Sequence, residues 1–287
     1  MENIRLKARA KINLGLDVLG KRDNGYHDVR MIMQTIGLYD RIIMTKADGD
    51  DIVIKSNLGF LPVNENNLIY KAIKLMKDTY GLHGGIEVDL NKFIPVAAGM
   101  AGGSTDAASA MYGMNKLYNL GLSTEDMMKL GVNIGADVPY CVMRGTALAE
   151  GIGEELTRLK PMPHAWMVIA KPPVNVSTKL VYESLDMGAV VKHPDIDGII
   201  EAINLSDVKL IAERMGNVLE DVTIPMCPVI SSIKNDMIEL GAYNAMMSGS
   251  GPTVFGIFPD EETALNCQRV LREKKDARQI YITESFN

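Results

Sequence analysis

Residues 4–18 alternate between apolar and polar. Ile4, Leu6, Ala8, Ala10, Ile12, Leu14, Leu16 and Val18 take the even positions, and Arg5, Lys7, Arg9, Lys11, Asn13 and Asp17 take odd ones. A period of two predicts a long strand with one buried face, with a possible bend at Gly15. The turn-rich run 20–25 ends it, and extended stretches follow to about residue 36, then over 40–45 and 51–56. The period changes after Asn67. Leu68, Ile69, Ala72, Ile73, Met76 and Tyr80 form a helical stripe that stops at Gly81. A strand is expected over 86–90, an Ala-rich helix over 106–117, and a helix opened by Ser123 and Asp126 as a capping box, running to about 134. Residues 141–149 read as strand.

The pattern lapses over 158–164, where Pro161 and Pro163 flank Met162. A domain boundary is expected there, giving residues 1–160 and 161–287. Beyond it, strands are expected over 165–170, 253–258 and 279–283. Helices are expected over 179–185, 196–203, 207–215, 229–240 and 261–274. Strands and helices mixed in this way give an α+β class in two domains.

Composition narrows the function. The 287 residues carry a net charge of −6, which leaves no global basic footprint for nucleic acid. Nineteen Met against 6% aromatic residues reads as adaptable core filling. Cys141, Cys227 and Cys267 are odd in number and far apart, so no disulfide framework is expected. The four histidines show no metal-binding spacing, and the apolar runs are too short to cross a bilayer. These features, with the chain's size, predict a soluble cytoplasmic enzyme, with no nucleic-acid or membrane partner and with the oligomeric state left open.

The strongest chemical signal is Pro95-Val96-Ala97-Ala98-Gly99-Met100-Ala101-Gly102-Gly103-Ser104-Thr105-Asp106, which runs directly into a helix. Small residues allow close backbone approach to a ligand, and amides at a helix start converge on an anion. The segment lacks the Gly-Lys-Ser/Thr of a Walker loop. By composition it is equally a phosphate loop or a tightly packed turn. Ala97 and Ala101 are compatible with such a loop if they keep negative φ. Asp106 is awkward so close to phosphate, and a role as helix cap or through a metal is open. Ser248-Gly249-Ser250-Gly251-Pro252 is a second turn, weak on its own. Lys11 and Asn13 share one strand face, and Gly135-Ala136-Asp137-Val138-Pro139 reads locally as a helix end and a pre-proline turn.

Three of these segments, in this order, resemble the GHMP kinase superfamily: the Lys11 strand, the central Gly-rich loop and the C-terminal Gly-Ser-Gly turn. Ala10-Lys11-Ile12-Asn13-Leu14 and Gly25-Tyr26-His27-Asp28 narrow the likeness to the branch whose acceptor is a cytidine-diphosphate-linked methylerythritol. Gly135-Ala136-Asp137-Val138-Pro139 and Val176-Ser177-Thr178 fit the same branch. The resemblance covers essentially the whole chain. Ala97 and Ala101 depart from it, standing where Gly is common, as does Met100 where Leu is common.

The resemblance implies a two-domain GHMP kinase-like fold with its active site in the interdomain cleft and an ATP-binding N-terminal domain. It implies transfer of the ATP γ-phosphoryl group, with Mg²⁺, to the C2 hydroxyl of the erythritol moiety in non-mevalonate isoprenoid biosynthesis. Asp137 is expected to accept the hydroxyl proton or to orient the hydroxyl, and Lys11 to hold Asp137 ionised. Pro95 through Thr105 are expected around the phosphates, with Ser104 reaching phosphate or Mg²⁺ and no other metal ligand identified. Asn67 is either an adenine contact or a helix N-cap. Asn13, Tyr26, His27, Met33, Thr178 and Tyr182 are assigned to the acceptor, although Thr178 and Tyr182 are also an ordinary helix-face pair. Homoserine or mevalonate kinase, a decarboxylating relative and a catalytically silent nucleotide-binding relative are the alternatives. Lys11 and Asp137 are both present, which argues against the silent relative.

Overall fold

The computed structural model describes every residue except Met1, Ala189 and Val191. The chain forms two compact units, each drawn from separate stretches. The first takes Met1–Ala10, Leu38–Val96 and Ala101–Arg144, and the second takes Lys11–Gly37, Ala97–Met100 and Gly145–Asn287. The sequence suggests a division near residue 160, whereas these units interleave along the chain. Two long strands, β1 (Asn3–Lys21) and β2 (His27–Ala47), contribute residues to both.

In the first unit, β3 (Ile52–Ser56), β4 (Gly85–Asn91), β2 and β1 lie in that order. β3 runs parallel to β4, and β4 antiparallel to β2. Helix α1 (Leu68–Tyr80) joins β3 to β4. Asn67 caps it by accepting from the Ile69 amide at 2.9 Å, and Gly81 ends it in the left-handed conformation. Its apolar stripe of Ile69, Ala72, Ile73 and Met76 is buried, as the helical period requires. Helix α2 (Gly102–Leu117) packs on α1 and crosses the sheet closely at Gly113, where an added Cβ would strike Met44 and crowd Leu6. Helix α3 (Thr124–Gly131) opens with the complete Ser123–Asp126 capping box.

The strand expected over 141–149 begins later than that. Residues Val138–Met143 form a helix, α4, with Asp137 at its N-cap position and Pro139 in its first turn. Proline suits that position because it lacks only an amide that would be unpaired there. The six-residue run is too short to show a period, and its apolar residues bury against α2 and α3. β5 (Thr146–Glu150) then starts the next stretch of strand.

In the second unit, β5 pairs with β2, and β6 (Glu155–Arg158) pairs with β5. A four-stranded antiparallel sheet is ordered β11 (Gln279–Glu284), β7 (Trp166–Lys171), β10 (Val254–Phe258), β9 (Asn244–Met247). The helices are α5 (Thr178–Ser184), α6 (Ile196–Leu205), α7 (Val208–Arg214), α8 (Glu220–Met226), α9 (Val229–Glu239) and α10 (Glu261–Lys274). A two-residue strand, β8 (Gly216–Asn217), lies parallel to β1 at Gly15 and Leu16.

β1 departs from a half-buried strand. Lys11, Asn13 and Asp17 are buried as well as the even-numbered apolar residues. At Gly15, helix α6 comes so close that a Cβ would lie 2.7 Å from Ile196 and 2.8 Å from Ile199. The absent side chain lets α6 cover what periodicity marks as a solvent face. Among the described residues, fourteen Met side chains are buried, in line with core filling. Among the described residues, no helix is long and apolar enough to cross a membrane.

Candidate active site

The Gly-rich loop has an alternating backbone. Ala97, Gly99 and Ala101 have φ of 51°, 69° and 54°, while Ala98 and Met100 between them stay at negative φ. Alternation of hand along a chain turns successive amides toward one side and makes an anion-binding concavity. Ala97 and Ala101 therefore do not meet the condition of negative φ under which alanine is readily compatible with such a loop. An alanine pays steric strain in this region that a glycine does not.

The helix after the loop starts at Gly102, four residues earlier than the pattern suggests. Gly102 is not at positive φ. Its lack of a side chain serves packing, since a Cβ there would lie 3.2 Å from Ile94 and 3.3 Å from the Lys92 Nζ. Ala101 is the N-cap residue and supplies no side-chain bond, so the first-turn amides have no cap of the usual kind. Uncapped amides beside an alternating loop fit a polyanion such as a triphosphate. Thr105 is buried, and its hydroxyl donates to the Arg9 carbonyl at 2.6 Å.

Asp106 is neither a cap nor part of a metal cluster. It lies in the second turn of α2, buried, with its Oδ2 accepting from Lys92 Nζ at 2.7 Å. Lys92 also donates to Asp40 of β2, so one ammonium serves two carboxylates. Burial pushes Asp106 well above the ordinary carboxylate range. Lys92 draws it down and Asp40 drives it further up. Burial alone would lower the Lys92 pKa, but the two acids outweigh it and the net shift is upward. Lys92 therefore stays charged, and Asp106 is the acid driven toward its neutral form. Among the described residues, no group of three or more His, Cys, Asp and Glu could hold a metal ion.

In the second unit, loop residues Ala97–Met100 lie against β1 and the Ser248-Gly249-Ser250-Gly251 turn. The Lys11 amide donates to the Met100 carbonyl at 3.3 Å, and the Ser248 hydroxyl donates to the Gly99 carbonyl at 2.9 Å. A Cβ on Gly99 would drive into the Ser248 carbonyl, and one on Gly249 would lie 3.2 Å from the Gly99 carbonyl. Asn13 accepts from Lys11 Nζ at 2.9 Å. The motif segments of Lys11, the loop and the turn thus converge in this unit.

Two residues that hold the turn carry no sequence signal. Asn217 donates through Nδ2 to the Met247 carbonyl at 2.9 Å and the Gly249 carbonyl at 2.8 Å, and Thr223 donates to the Ser250 carbonyl at 3.3 Å.

His27 and Tyr182 come together with ring centroids 5.3 Å apart at 39°. Burial lowers the His27 pKa, and the Lys21 charge lowers it further, so its ring is held neutral. Thr178 begins α5, and its hydroxyl shares a hydrogen bond with Ser250 at 2.8 Å. Tyr26 is 59% exposed, whereas Met33 is wholly buried in register with Ala147 of β5. Asn67 has both ends of its amide engaged, accepting from Ile69 and donating to the Pro62 carbonyl at 2.7 Å. Asp137, in the first unit, makes no capping bond with its side chain.

The family of GHMP kinases N terminal domains matches residues 67–145, and the family of GHMP kinases C terminal domains matches residues 189–277. The class is thereby a GHMP kinase. A 4-diphosphocytidyl-2-C-methyl-D-erythritol kinase of Lachnospira eligens is 73% identical over 286 residues, covering 100% of this chain and 99% of that one. A crystal structure of 4-(cytidine 5'-diphospho)-2C-methyl-D-erythritol kinase superposes with a TM-score of 0.85 at 28% identity, covering 99% of this chain and 100% of that one. The chain belongs to the 4-diphosphocytidyl-2-C-methyl-D-erythritol kinase family. A homoserine kinase from Cytophaga hutchinsonii, at 21% identity and covering 99% of this chain and 95% of that one, reaches a TM-score of 0.80. Fold likeness alone therefore leaves the acceptor undecided.

Two measurements follow from the loop and its acid. Ala97→Gly and Ala101→Gly each relieve left-handed strain, and each is expected to raise the unfolding free energy by about 1 kcal/mol in urea titrations. A loss of stability in both would contradict the strain. For Asp106, the unfolded carboxyl loses its proton near 3.8 while the folded one keeps it to higher pH. Its contribution to stability therefore falls as pH rises across that window. Asp106→Asn removes this part of the slope, and unfolding free energies measured from about pH 5 to about pH 8 should be flatter in the variant. An unchanged slope would show that Asp106 titrates normally.

Proposed function

We propose that the chain phosphorylates the C2 hydroxyl of 4-diphosphocytidyl-2-C-methyl-D-erythritol, using ATP and releasing ADP and the 2-phosphate. The acceptor is inferred from membership of the kinase family and from the Gly25-Tyr26-His27-Asp28 motif. The observation that carries the site reading is the convergence of the Lys11 strand, the Gly-rich loop and the Gly-Ser-Gly turn through the Lys11–Met100 and Ser248–Gly99 hydrogen bonds.

In this reading, the amides of the alternating loop and of the α2 start receive the triphosphate. Mg²⁺, carried by the nucleotide, would neutralise charge on the transferring group, with Ser104 the side chain in reach of it. The acceptor oxygen forms a bond to the γ-phosphorus as the bond to the ADP oxygen breaks, and the hydroxyl proton leaves the acceptor oxygen. Asp137 orients that hydroxyl and accepts its proton. Lys11 offsets charge on the moving phosphoryl group. Asn13, hydrogen-bonded to Lys11, contacts the erythritol end. At the other end, Tyr26 and the His27–Tyr182 pair offer flat surfaces and a neutral ring nitrogen to cytosine, flanked by Thr178. Met33 is wholly buried, so its part at this end is through packing rather than contact with the ligand.

The first test is an ADP-release assay with the cytidyl acceptor run beside mevalonate and homoserine. Turnover is expected with the cytidyl acceptor, and equal use of the acceptor stripped of its cytidyl head would overturn the assignment. Loss of that head should cost about 2–4 kcal/mol in kcat/KM, since remote binding energy supports the chemical step. The second test is single-turnover phosphoryl transfer. Asp137→Asn and Lys11→Ala are each expected to slow it by roughly 10²–10⁴ with smaller effects on binding. The double variant should fall far short of the product of the two losses. Near-native turnover in a folded Asp137→Asn would remove the carboxylate from the reacting hydroxyl.

A further inference from the structure

The chain entering the Gly-rich loop is held unusually firmly, and none of the groups that hold it is used by the reaction above. Lys92 follows directly on β4. Its amide donates to the Asn57 side chain at 2.8 Å, and its carbonyl accepts from the same amide group at 3.2 Å. The next two amides, of Phe93 and Ile94, both donate to Oδ1 of Asp40 at 2.6 Å and 2.8 Å. The other oxygen of Asp40 accepts from Lys92 Nζ. Asp40 therefore binds the backbone at the loop entrance and the ammonium at once.

The same ammonium reaches the far side of the loop. It donates to Asp106 in the second turn of α2, and it lies so close to Gly102 that any side chain there would crowd it. The three charged side chains are 0–5% exposed. Burying them costs solvation that exposed ion pairs would not lose. A neutral apolar contact would hold two elements together as well. What it would lack is directional hydrogen bonding to backbone amides on one side and to a helix on the other.

We propose that Asp40, Lys92 and Asp106 are positioning residues for nucleotide binding: the ammonium ties the entrance of the Gly-rich loop to the helix at its exit and fixes the spacing of the amides that receive the phosphates. This rests on the reading of that loop as the triphosphate site. It also accounts for an acid so near a phosphate site. Asp106 faces Lys92 from the segment after β4 and Asp40 from β2; Lys92 engages its carboxyl while burial and Asp40 drive it toward the neutral form, so little charge is presented to the ligand. Oδ1 of Asp106 has no hydrogen-bond partner, and neither does the buried Ser109 hydroxyl one turn on. The bond to Lys92 and the approach to Asp40 are thus the carboxyl group's connections to the rest of the unit.

The test compares two substitutions of similar size in the full chain, using a non-hydrolysable ATP analogue as the probe. Asp106→Leu fills the volume and cannot accept from Lys92, whereas Asp106→Asn can. Calorimetric titration is expected to show a roughly tenfold loss of analogue affinity in Asp106→Leu, with most of it recovered in Asp106→Asn. Apparent KM for ATP should rise while KM for the acceptor stays within about twofold. A purely structural role would lower the melting temperature without this selectivity. Lys92→Gln, too short to bridge both acids, carries the same expectation if Asp106→Leu does not fold. Hydrogen exchange on the unaltered protein separates the two readings. If the analogue fails to slow exchange over 97–104, the loop is not the triphosphate site. If it slows exchange there and Asp106→Leu binds the analogue as tightly as the unaltered chain, the positioning role is wrong.

Discussion

The arrangement of the second unit depends on one close approach of backbone to backbone, between Gly99 and the turn at Ser248. A Cβ on Gly99 would overlap the Ser248 carbonyl, and one on Gly249 would press on the Gly99 carbonyl. The Ser248 hydroxyl bridges the gap, Asn217 and Thr223 hold the turn from behind, and the Lys11 amide holds the loop from the strand side. A glycine at each contact is then a steric necessity rather than a source of flexibility. Because the loop carbonyls are occupied by these partners, the loop is set in shape before any ligand arrives. Preorganised amides lose less on binding than amides that must first be gathered.

The first unit solves a different problem, that of fixing a loop with few side chains of its own. The answer is to place the ionic chemistry beneath the loop rather than in it. Two acids and one base form a buried cluster that is satisfied when one acid is neutral, and the shifts of Lys92 and Asp106 point to that state. The burial cost is tolerable because Asp40 accepts three bonds in total from Lys92, Phe93 and Ile94.

How much of this could be read from the sequence depends on the range over which each feature is determined. The helices α1 and α10 and the capping box of α3 are local, set by apolar period and cap residues within one segment, and they stand where the pattern places them. α4 is short and is decided by burial against two other helices, which a strand-like composition does not reveal. The polar face of β1 is covered by α6 through a missing side chain at Gly15, a tertiary event with no periodic trace. In the loop, residue identity suggested that alanine avoids the left-handed region. The surrounding contacts impose it at Ala97 and Ala101 all the same. Pairs such as His27 with Tyr182, or Lys92 with Asp40, join residues 155 and 52 positions apart, and no local signal links them.

The interleaving of the units has a consequence for how the chain is made. The first unit draws only on residues up to Arg144 and is complete once these have left the ribosome. The stretch Lys11–Gly37 belongs to the second unit and must wait for the C-terminal half. For that interval Ile12, Leu14, Leu16, Ile32 and Ile36, all deeply buried in the finished protein, lack their permanent cover. At roughly 5–20 residues per second, synthesis of the remaining half takes on the order of ten seconds. The nascent chain thus carries two apolar strands without their final cover through a long stretch of its own synthesis.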